Sequence, residues 1–166
     1  MATKTASVTL DGDGLRFVGR MGSGHAIVLD NAEGDTGPRP AELIPLALAG
    51  CTAMDVISIL RKKRQPVTRY EVRATGVQSE GHPNEFRRID VVHLVEGDVD
   101  VAALERAIEL SATRYCSVGS TLASGVTEVH HAYQIRTGDG AESSGEVLVM
   151  GPHADPAALA PAGTAS

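Results

Sequence analysis

One apolar stretch decides the fold: AELIPLALAGCTAMDVISILRKKR, which runs from Ala41 to Arg64. Between Leu43 and Leu60 nearly every face of a helix drawn through it is apolar, and such a helix either lies in a core or spans a membrane. A span needs roughly 20 predominantly apolar residues, and this run is shorter. It also contains residues that a span disfavours, namely Pro45, Thr52, Asp55 and Ser58. We therefore expect a central helix of a soluble domain, covered by sheet alone or by sheet and a second subunit, and no membrane.

The charge of the chain argues against polyanionic partners. Its 166 residues carry a formal net charge of −6, and an acidic surface repels phosphate backbones and anionic lipid. The basic run Arg61–Arg64 ends the central helix, where cations suit the helix dipole. A nucleic-acid patch there is the weaker alternative, so we expect no nucleic-acid partner.

Strand signals flank the central helix on both sides. Before it lie three short β-prone runs separated by Asp-Gly and Ser-Gly turns, which predict an antiparallel meander: Val8–Leu10, Leu15–Val18 and Ala26–Leu29. After it the pattern predicts strands over 67–77 and 86–95, a helix from 101 to about 115 capped by Asp98 or Asp100, further helical turns over 117–124 and a strand over 126–135. This order predicts an α+β domain with antiparallel sheet wrapped on helices.

The two ends of the chain differ from its middle in composition. Residues 137–166 are rich in Gly, Ala, Pro and Ser and, apart from 146–150, have little to bury. We expect one domain over 1–136 and a mostly disordered tail over 137–166. Residues 1–10 have no basic region followed by an apolar run, so we expect no signal peptide and a cytoplasmic protein.

Cys51 and Cys116 are the only two cysteines. Cys51 lies mid-helix among small residues, and a buried free cysteine often packs as a small hydrophobe, so a structural role stays open. An apolar site disfavours the thiolate, so a reactive Cys51 would need a cation from elsewhere, most plausibly an arginine. If the two helices pack side by side, the sulfurs could meet; a disulfide requires Cα atoms within about 7 Å.

Three motifs point to a family. GPRPAEL at 37–43, LAGCTAMDV at 48–56 and YCSV at 115–118 closely resemble the osmotically inducible protein C / organic hydroperoxide resistance (OsmC/Ohr) family, in its OsmC-like branch. The likeness covers roughly residues 8–136. It implies an OsmC-like fold, with antiparallel sheets wrapped around two central helices in an intertwined homodimer. It also implies a thiol-dependent peroxidase that reduces organic hydroperoxides.

The resemblance gives the two cysteines distinct roles. Cys51 matches the family's peroxidatic cysteine, whose thiolate attacks the peroxide and becomes a sulfenic acid. Cys116 matches the resolving cysteine, which condenses with it to a disulfide. A small dithiol or lipoyl-type reductant would restore both thiols. Sulfur carries the oxidation, so the resemblance implies neither a metal nor an organic cofactor.

The supporting residues depart from the family pattern. Peroxidase members place a glutamate directly after the proline that opens the helix, whereas this chain has Ala41 there and Glu42 one residue later. In a straight helix Glu42 and Cys51 point to opposite faces, so Glu42 reaches the site only if the segment before Pro45 is not continuous helix. Its alternative role is that of a first-turn acid stabilised by the helix dipole.

No motif fixes the activating arginine. Arg16, Arg20 and Arg39 are candidates, and each could equally be a solvated surface charge. We name Arg20, which we expect in a turn over 19–22. The six histidines show no metal-binding spacing, so we expect no zinc site. Asp55, one helical turn after Cys51, could tune the pocket, although such a residue is more often hydrogen-bonded or paired within a helical core.

A function of another class remains open. The same fold could serve as a non-catalytic ligand-binding or structural module, with buried cysteines or a static disulfide. The altered position of the glutamate favours this alternative, and the presence of both cysteines in matching motifs favours the peroxidase.

Overall fold

The computed structural model describes residues 2–151, and the chain divides into two compact units, with the boundary between Ile44 and Pro45. The first unit contains an antiparallel sheet in the order β1-β2-β3. Its strands are Ala6–Leu10 (β1), Phe17–Met21 (β2) and Ala26–Leu29 (β3). The antiparallel pairings of β1 with β2 and of β2 with β3 confirm the predicted meander. Gly24 lies in the β2–β3 turn with φ +89°, a conformation that glycine allows freely.

The position of β2 corrects the expected surroundings of Arg20. We expected Arg20 in a turn, but β2 runs on to Met21, and Arg20 pairs with Ser7 on one side and Ala26 on the other. The turn begins only after Met21, whose N–H donates to the carbonyl of His25. Arg20 is therefore an exposed strand residue.

The apolar stretch forms a short 3₁₀ turn, Pro40–Glu42, followed by α1, Leu43–Lys62. Pro45 lies in the first turn of α1, where its missing N–H costs nothing. The segment before Pro45 is thus not continuous α-helix, because Glu42 lies in the 3₁₀ turn. A role of Glu42 at the cysteine site required such a break.

The second unit carries a mixed sheet in the order β4-β5-β6-β7. Its strands are Val67–Gln78 (β4), Phe86–Gly97 (β5), Glu128–Arg136 (β6) and Glu142–Met150 (β7). The outer pairs are antiparallel, as expected, but β5 and β6 run parallel. Parallel neighbours need a long crossover, and the helical segment between these strands provides it. The α+β class is confirmed.

Strand β7 corrects the expected tail. It pairs with β6 from Arg136↔Glu142 to Val129↔Met150, so the folded chain continues well beyond residue 136. Leu148 and Met150 face the core, which explains why the short apolar run over 146–150 is ordered. The expectation for 152–166 lies outside the described residues.

The crossover consists of three helical pieces: α2 (Val101–Leu110), a π-helical turn (Ser111–Tyr115) and α3 (Ser117–Ala123). Asp100 caps α2, because its carboxylate accepts a hydrogen bond from the N–H of Ala102 at 3.3 Å. The sequence predicted one helix up to Tyr115 and further turns beyond it. The widened turn and the break at Cys116 were not predicted.

The core of the second unit lies between the sheet and one stripe of α1. Residues at four-residue intervals form that stripe, and all are buried: Leu48, Thr52, Val56 and Leu60. Alternate residues of β5 and β6 face them. The opposite side of α1 stays exposed, with Leu46 at 62% and Met54 at 74%. Within one chain, therefore, only one side of this helix is covered.

Within residues 2–151 one helix, Pro40–Lys62, is long and apolar enough to cross a membrane, with a mean hydropathy of 2.0. Core helices of globular proteins meet the same criterion. The buried stripe packs against the sheet as a core helix does, although only 28% of the apolar window is buried.

Candidate functional site

Cys51 and Cys116 meet in the second unit, as the sequence predicted if the helices packed side by side. Their sulfur atoms and a carboxylate oxygen of Asp55 all lie within 4.8 Å of one another, and both cysteines are free thiols. Cys51 is half-buried in the middle of α1, whereas Cys116 is 2% exposed. Of the two sulfurs, that of Cys51 is the more accessible to a small molecule.

The π-helical turn puts Cys116 in place. The N–H of Cys116 donates to the carbonyl of Ser111 at 2.8 Å, five residues earlier, and so closes the wide turn. Cys116 then caps α3: its sulfur accepts a hydrogen bond from the N–H of Gly119 at 3.2 Å, as a serine oxygen would. A Cβ at Gly119 would lie 3.4 Å from both this sulfur and Leu48, so the glycine permits a close approach.

Burial makes Cys116 a thiol at neutral pH. Burial is the largest cause that raises the pKa of its thiol, to about 12, and its hydrogen bond with Cys51 acts in the same direction. The negative charge of Asp55 adds a smaller increase, while the N–H of Gly119 lowers the pKa. Cys116 therefore supplies a thiol of the kind that can condense with a sulfenic acid.

A buried hydroxyl pair orients Asp55. Ser111 Oγ lies 3.0 Å from Asp55 Oδ2 and 3.0 Å from Thr52 Oγ1. A carboxylate only accepts, so the Ser111 hydroxyl donates to Asp55 and the Thr52 hydroxyl donates to Ser111. Within residues 2–151, Asp55 Oδ1 has no hydrogen-bond partner and Asp55 forms no ion pair.

A second polar group lies buried in the same unit. The hydroxyl of Tyr70 lies 2.7 Å from His93 Nδ1, and the His93 ring stacks on that of His131 with centroids 6.2 Å apart. Burial raises the pKa of Tyr70, so its hydroxyl keeps its proton and donates to His93. Burial lowers the pKa of His93 to about 3 and that of His131 to about 4, so both rings are neutral.

Sequence reasoning underrated these polar residues, although one signal was available. His93 falls in phase with Val91 and Val95, and His131 with Val129 and Tyr133, which places both rings on the buried face of their strands. For Asp55 the sequence leaves two roles open, one that tunes the pocket and one that is hydrogen-bonded or paired within the core, and the structure shows it hydrogen-bonded to Ser111. Ser111 and Thr52 carry no sequence signal, because their meeting depends on how α1 packs against the π-helical turn.

Arg20 and Glu42 both lie in the first unit. Arg20 is exposed and forms no ion pair or side-chain hydrogen bond among the described residues. The Glu42 carboxylate accepts a hydrogen bond from the backbone N–H of Arg39 at 2.7 Å, which is the helix-start role considered as its alternative. Arg39 pairs with Asp35 at 2.9 Å, and Arg16 with Asp11.

The model of the family described as OsmC-like protein matches residues 32–131, which is more than half of the chain. The chain belongs to the OsmC-like protein family. The OsmC-like match includes Glu42, Cys51, Asp55, Ser111 and Cys116, whereas Arg20 precedes it.

A curated relative and two solved structures agree with this OsmC-like assignment. The chain is 42% identical to Protein YhfA of Escherichia coli K12 over 124 residues, which cover 74% of this chain and 92% of the relative. It superposes on a hypothetical protein from Aquifex aeolicus VF5 with a TM-score of 0.71 and 28% identity, covering 82% and 98% of the two chains.

The other structure is an organic hydroperoxide resistance protein from Elizabethkingia anophelis, with a TM-score of 0.58 and 15% identity. The superposition covers 81% of this chain and 96% of that one. At this identity the likeness shows the shared OsmC-like fold.

Proposed function

We propose that this protein is a thiol-dependent peroxidase that reduces organic hydroperoxides to alcohols. The observation that carries the proposal is the pairing of a half-buried Cys51 with a buried Cys116, their sulfurs within 4.8 Å of each other. A disulfide bond is about 2.05 Å long, so a small side-chain movement joins them. Membership of a family that includes organic hydroperoxide resistance proteins supports the same chemistry.

The cycle has three steps. The Cys51 thiolate attacks one peroxide oxygen, the O–O bond breaks, and the alkoxide leaves and takes a proton to become the alcohol. The Cys51 sulfenic acid then condenses with the Cys116 thiol, which forms the disulfide and releases water. A dithiol reduces this disulfide by two exchanges and is itself oxidised to a disulfide.

The unequal burial of the cysteines supports this division of roles. Peroxide and reductant must both reach a sulfur, and Cys51 is the more exposed of the two. Cys116 is buried and protonated, which suits a thiol that reacts only after Cys51 has become a sulfenic acid. We propose a small dithiol or a lipoyl-type thiol as the reductant, because its second thiol can complete the exchange at a confined site.

The thiolate needs a cation, and we propose Arg20 as its source with Glu42 as the residue that orients it. No motif fixes this arginine, and the support is that Arg20 has no ion-pair partner among the described residues, whereas Arg16 pairs with Asp11 and Arg39 with Asp35. Arg20→Gln is expected to slow oxidation of Cys51 by about tenfold or more, in the range that one charged group contributes to thiolate stability. Glu42→Gln is expected to have a smaller effect.

We further propose that the protein works as a homodimer in the cytoplasm. The exposed apolar side of α1, which includes Leu46 and Met54, is the kind of surface that a second copy covers. The disulfide of the cycle forms and is reduced again, as is usual for catalytic disulfides in a reducing compartment.

The alternative is a ligand-binding module of the same fold. An apolar cavity of about 630 Å³ in the first unit favours it, with Val8, Leu15, Phe17 and Leu29 among its lining residues. In that case the cysteines would be structural and peroxide would leave them reduced.

One experiment separates the two functions. Reduced wild-type protein, Cys51→Ser and Cys116→Ser are treated with cumene hydroperoxide, and intact mass is followed against peroxide consumption. The peroxidase predicts rapid disulfide formation in wild type, a trapped sulfenic acid in Cys116→Ser and no reaction in Cys51→Ser. Wild-type protein that stays reduced while peroxide persists would contradict the proposal.

A further inference from the structure

The spacing of the histidines predicts no zinc site, but three residues of types that bind metals lie together at the cysteine site. Cys51 and Asp55 are one helical turn apart, so α1 presents both side chains on the same face. Cys116 brings the third group from the crossover, and the three ligand atoms lie within 4.8 Å of one another. Two ligands four residues apart on a helix and a third from another element is an arrangement that zinc sites use.

The peroxidase cycle does not use Asp55. A carboxylate beside two sulfurs opposes formation of a thiolate, so it hinders the reaction that the cysteines are proposed to perform. Its charge has a different use if a cation lies among the three groups. Among residues 2–151 no Lys, Arg or His pairs with Asp55, so the described chain leaves this charge without a counter-ion.

We propose that the reduced protein binds one thiophilic divalent cation, of which Zn²⁺ is the type, through Cys51 Sγ, Cys116 Sγ and the Asp55 carboxylate. The two thiol protons pass to the solvent on binding. The fourth position of a tetrahedral ion is left to water or to a small thiol, since Cys51 is half-buried.

The dimensions suit such an ion. With Zn–S bonds of about 2.3 Å and Zn–O bonds of about 2.0–2.2 Å, tetrahedral ligand atoms lie roughly 3.5–3.8 Å apart. The present cluster, with its atoms within 4.8 Å, needs each separation to contract by about 1.3 Å at most. Ser111 already donates to one oxygen of Asp55, and metal-bound carboxylates are typically held by such a donor.

The metal site excludes peroxide reduction, because both use the Cys51 sulfur. A bound ion blocks attack on the peroxide, and the Cys51–Cys116 disulfide removes two of the three ligands. The inference goes beyond the proposed peroxidase activity and does not depend on it. It makes the thiol pair a site that holds metal only when reduced.

The test titrates Co²⁺ and Zn²⁺ into reduced, untagged full-length protein. Wild type is expected to bind one Co²⁺ per chain, with a sulfur-to-cobalt charge-transfer band and the visible bands of a tetrahedral ion, and Zn²⁺ displaces it. Cys51→Ser and Cys116→Ser are expected to lose at least a hundredfold in affinity and Asp55→Asn at least tenfold. Asp98→Asn removes an exposed carboxylate from the same unit and is the matched control, expected to bind as wild type.

Two results would overturn the inference: absence of the charge-transfer band in reduced wild type, or equal binding by Asp55→Asn and wild type. Protein oxidised to the disulfide is expected to bind no Co²⁺, and full binding by that form would also overturn it. These measurements need no peroxide. A protein that binds Co²⁺ but ignores hydroperoxide contradicts only the proposed function, and an active peroxidase that binds none contradicts only this inference.

Discussion

At the scale of single residues, the negative charge of Asp55 disfavours the thiolate form of the nearby cysteines. Its carboxylate lies within 4.8 Å of both sulfurs and is held there by Ser111. Burial is the largest cause that raises the pKa of the Cys116 thiol, and the charge of Asp55 raises it further. Because Asp55 places negative charge beside both sulfurs, the proposed reaction of Cys51 with peroxide calls for a guanidinium nearby, whereas a bound metal ion would block it.

His93 and His131 make the stability of the fold depend on pH. Burial lowers the pKa of His93 from 6.5 to about 3 and that of His131 from 6.5 to about 4, so the unfolded chain binds more protons than the folded chain between these values. Their contribution to stability is present above about pH 6.5 and is lost as the pH falls towards 4 and then 3.

We therefore expect the melting temperature to fall as the pH is lowered through this window, and to fall less steeply in His131→Leu. Thermal unfolding followed by circular dichroism at several pH values measures both slopes. His25→Leu is the control, because His25 is exposed and should leave the slope unchanged. An unchanged slope in His131→Leu would show that its ring does not carry the effect.

The sequence could identify the two cysteines because their neighbours form recognisable motifs. It could not define what surrounds the thiols. The contact of Ser111 with Thr52 and Asp55 joins residues more than 50 positions apart and depends on packing alone. The alternation of residues along β5 and β6 is enough to predict that His93 and His131 are buried, but it does not predict that their rings stack on each other.

At the scale of elements, the π-helical turn is what brings Cys116 to α1. It ends α2 early, and Ser111 at its start ties it to α1 through Thr52 and Asp55. Sequence periodicity continues through this region, so it predicted one helix up to Tyr115. A hydrogen bond between residues five apart leaves no mark in a hydrophobic pattern, which explains why the turn was missed.

Ser111→Ala tests this tie. The change leaves Asp55 Oδ2 and the Thr52 hydroxyl without their buried partner, so we expect the free energy of unfolding to fall by about 1–3 kcal/mol. Urea denaturation measures it. Thr113→Ala on the same turn is the matched control, because the exposed Thr113 hydroxyl only donates to its own helix at Glu109. Equal losses in the two variants would argue against the tie.

The strand boundaries show what local pattern can and cannot define. Turn signals located the meander and the β4–β5 hairpin. The end of β2 was misplaced because Arg20 and Met21 pair with neighbouring strands in spite of the glycine beside them. Strand β7 was placed in a disordered tail because its first half is polar, although pairing with β6 satisfies its backbone.

At the scale of the whole molecule, α1 presents more apolar surface than one chain covers. Its buried stripe faces the sheet, while Met54 is 74% exposed and Leu46 62% exposed. The sequence predicts a covered central helix, but its composition does not tell whether the cover comes from the same chain alone or also from a second subunit. A homodimer would account for both observations.

Met54→Glu tests the proposed dimer. A charge placed in a covered apolar patch loses its hydration when the dimer forms. We therefore expect the dissociation constant of the dimer to rise by about tenfold or more. Light scattering during gel filtration at several concentrations measures it. Val126→Glu, at an exposed aliphatic residue outside α1, is the control. A wild-type monomer, or a Met54→Glu dimer of unchanged stability, would contradict the proposal.

The central claim is that Cys51 and Cys116 act together on an organic hydroperoxide, and one measurement tests it most directly. Reduced protein receives one equivalent of cumene hydroperoxide, is digested with trypsin without reduction, and the alcohol formed is quantified. We predict that peptides 21–61 and 115–136, which carry the two cysteines, become joined in an amount equal to the alcohol. Unlinked peptides, or linkage without alcohol, would contradict the account.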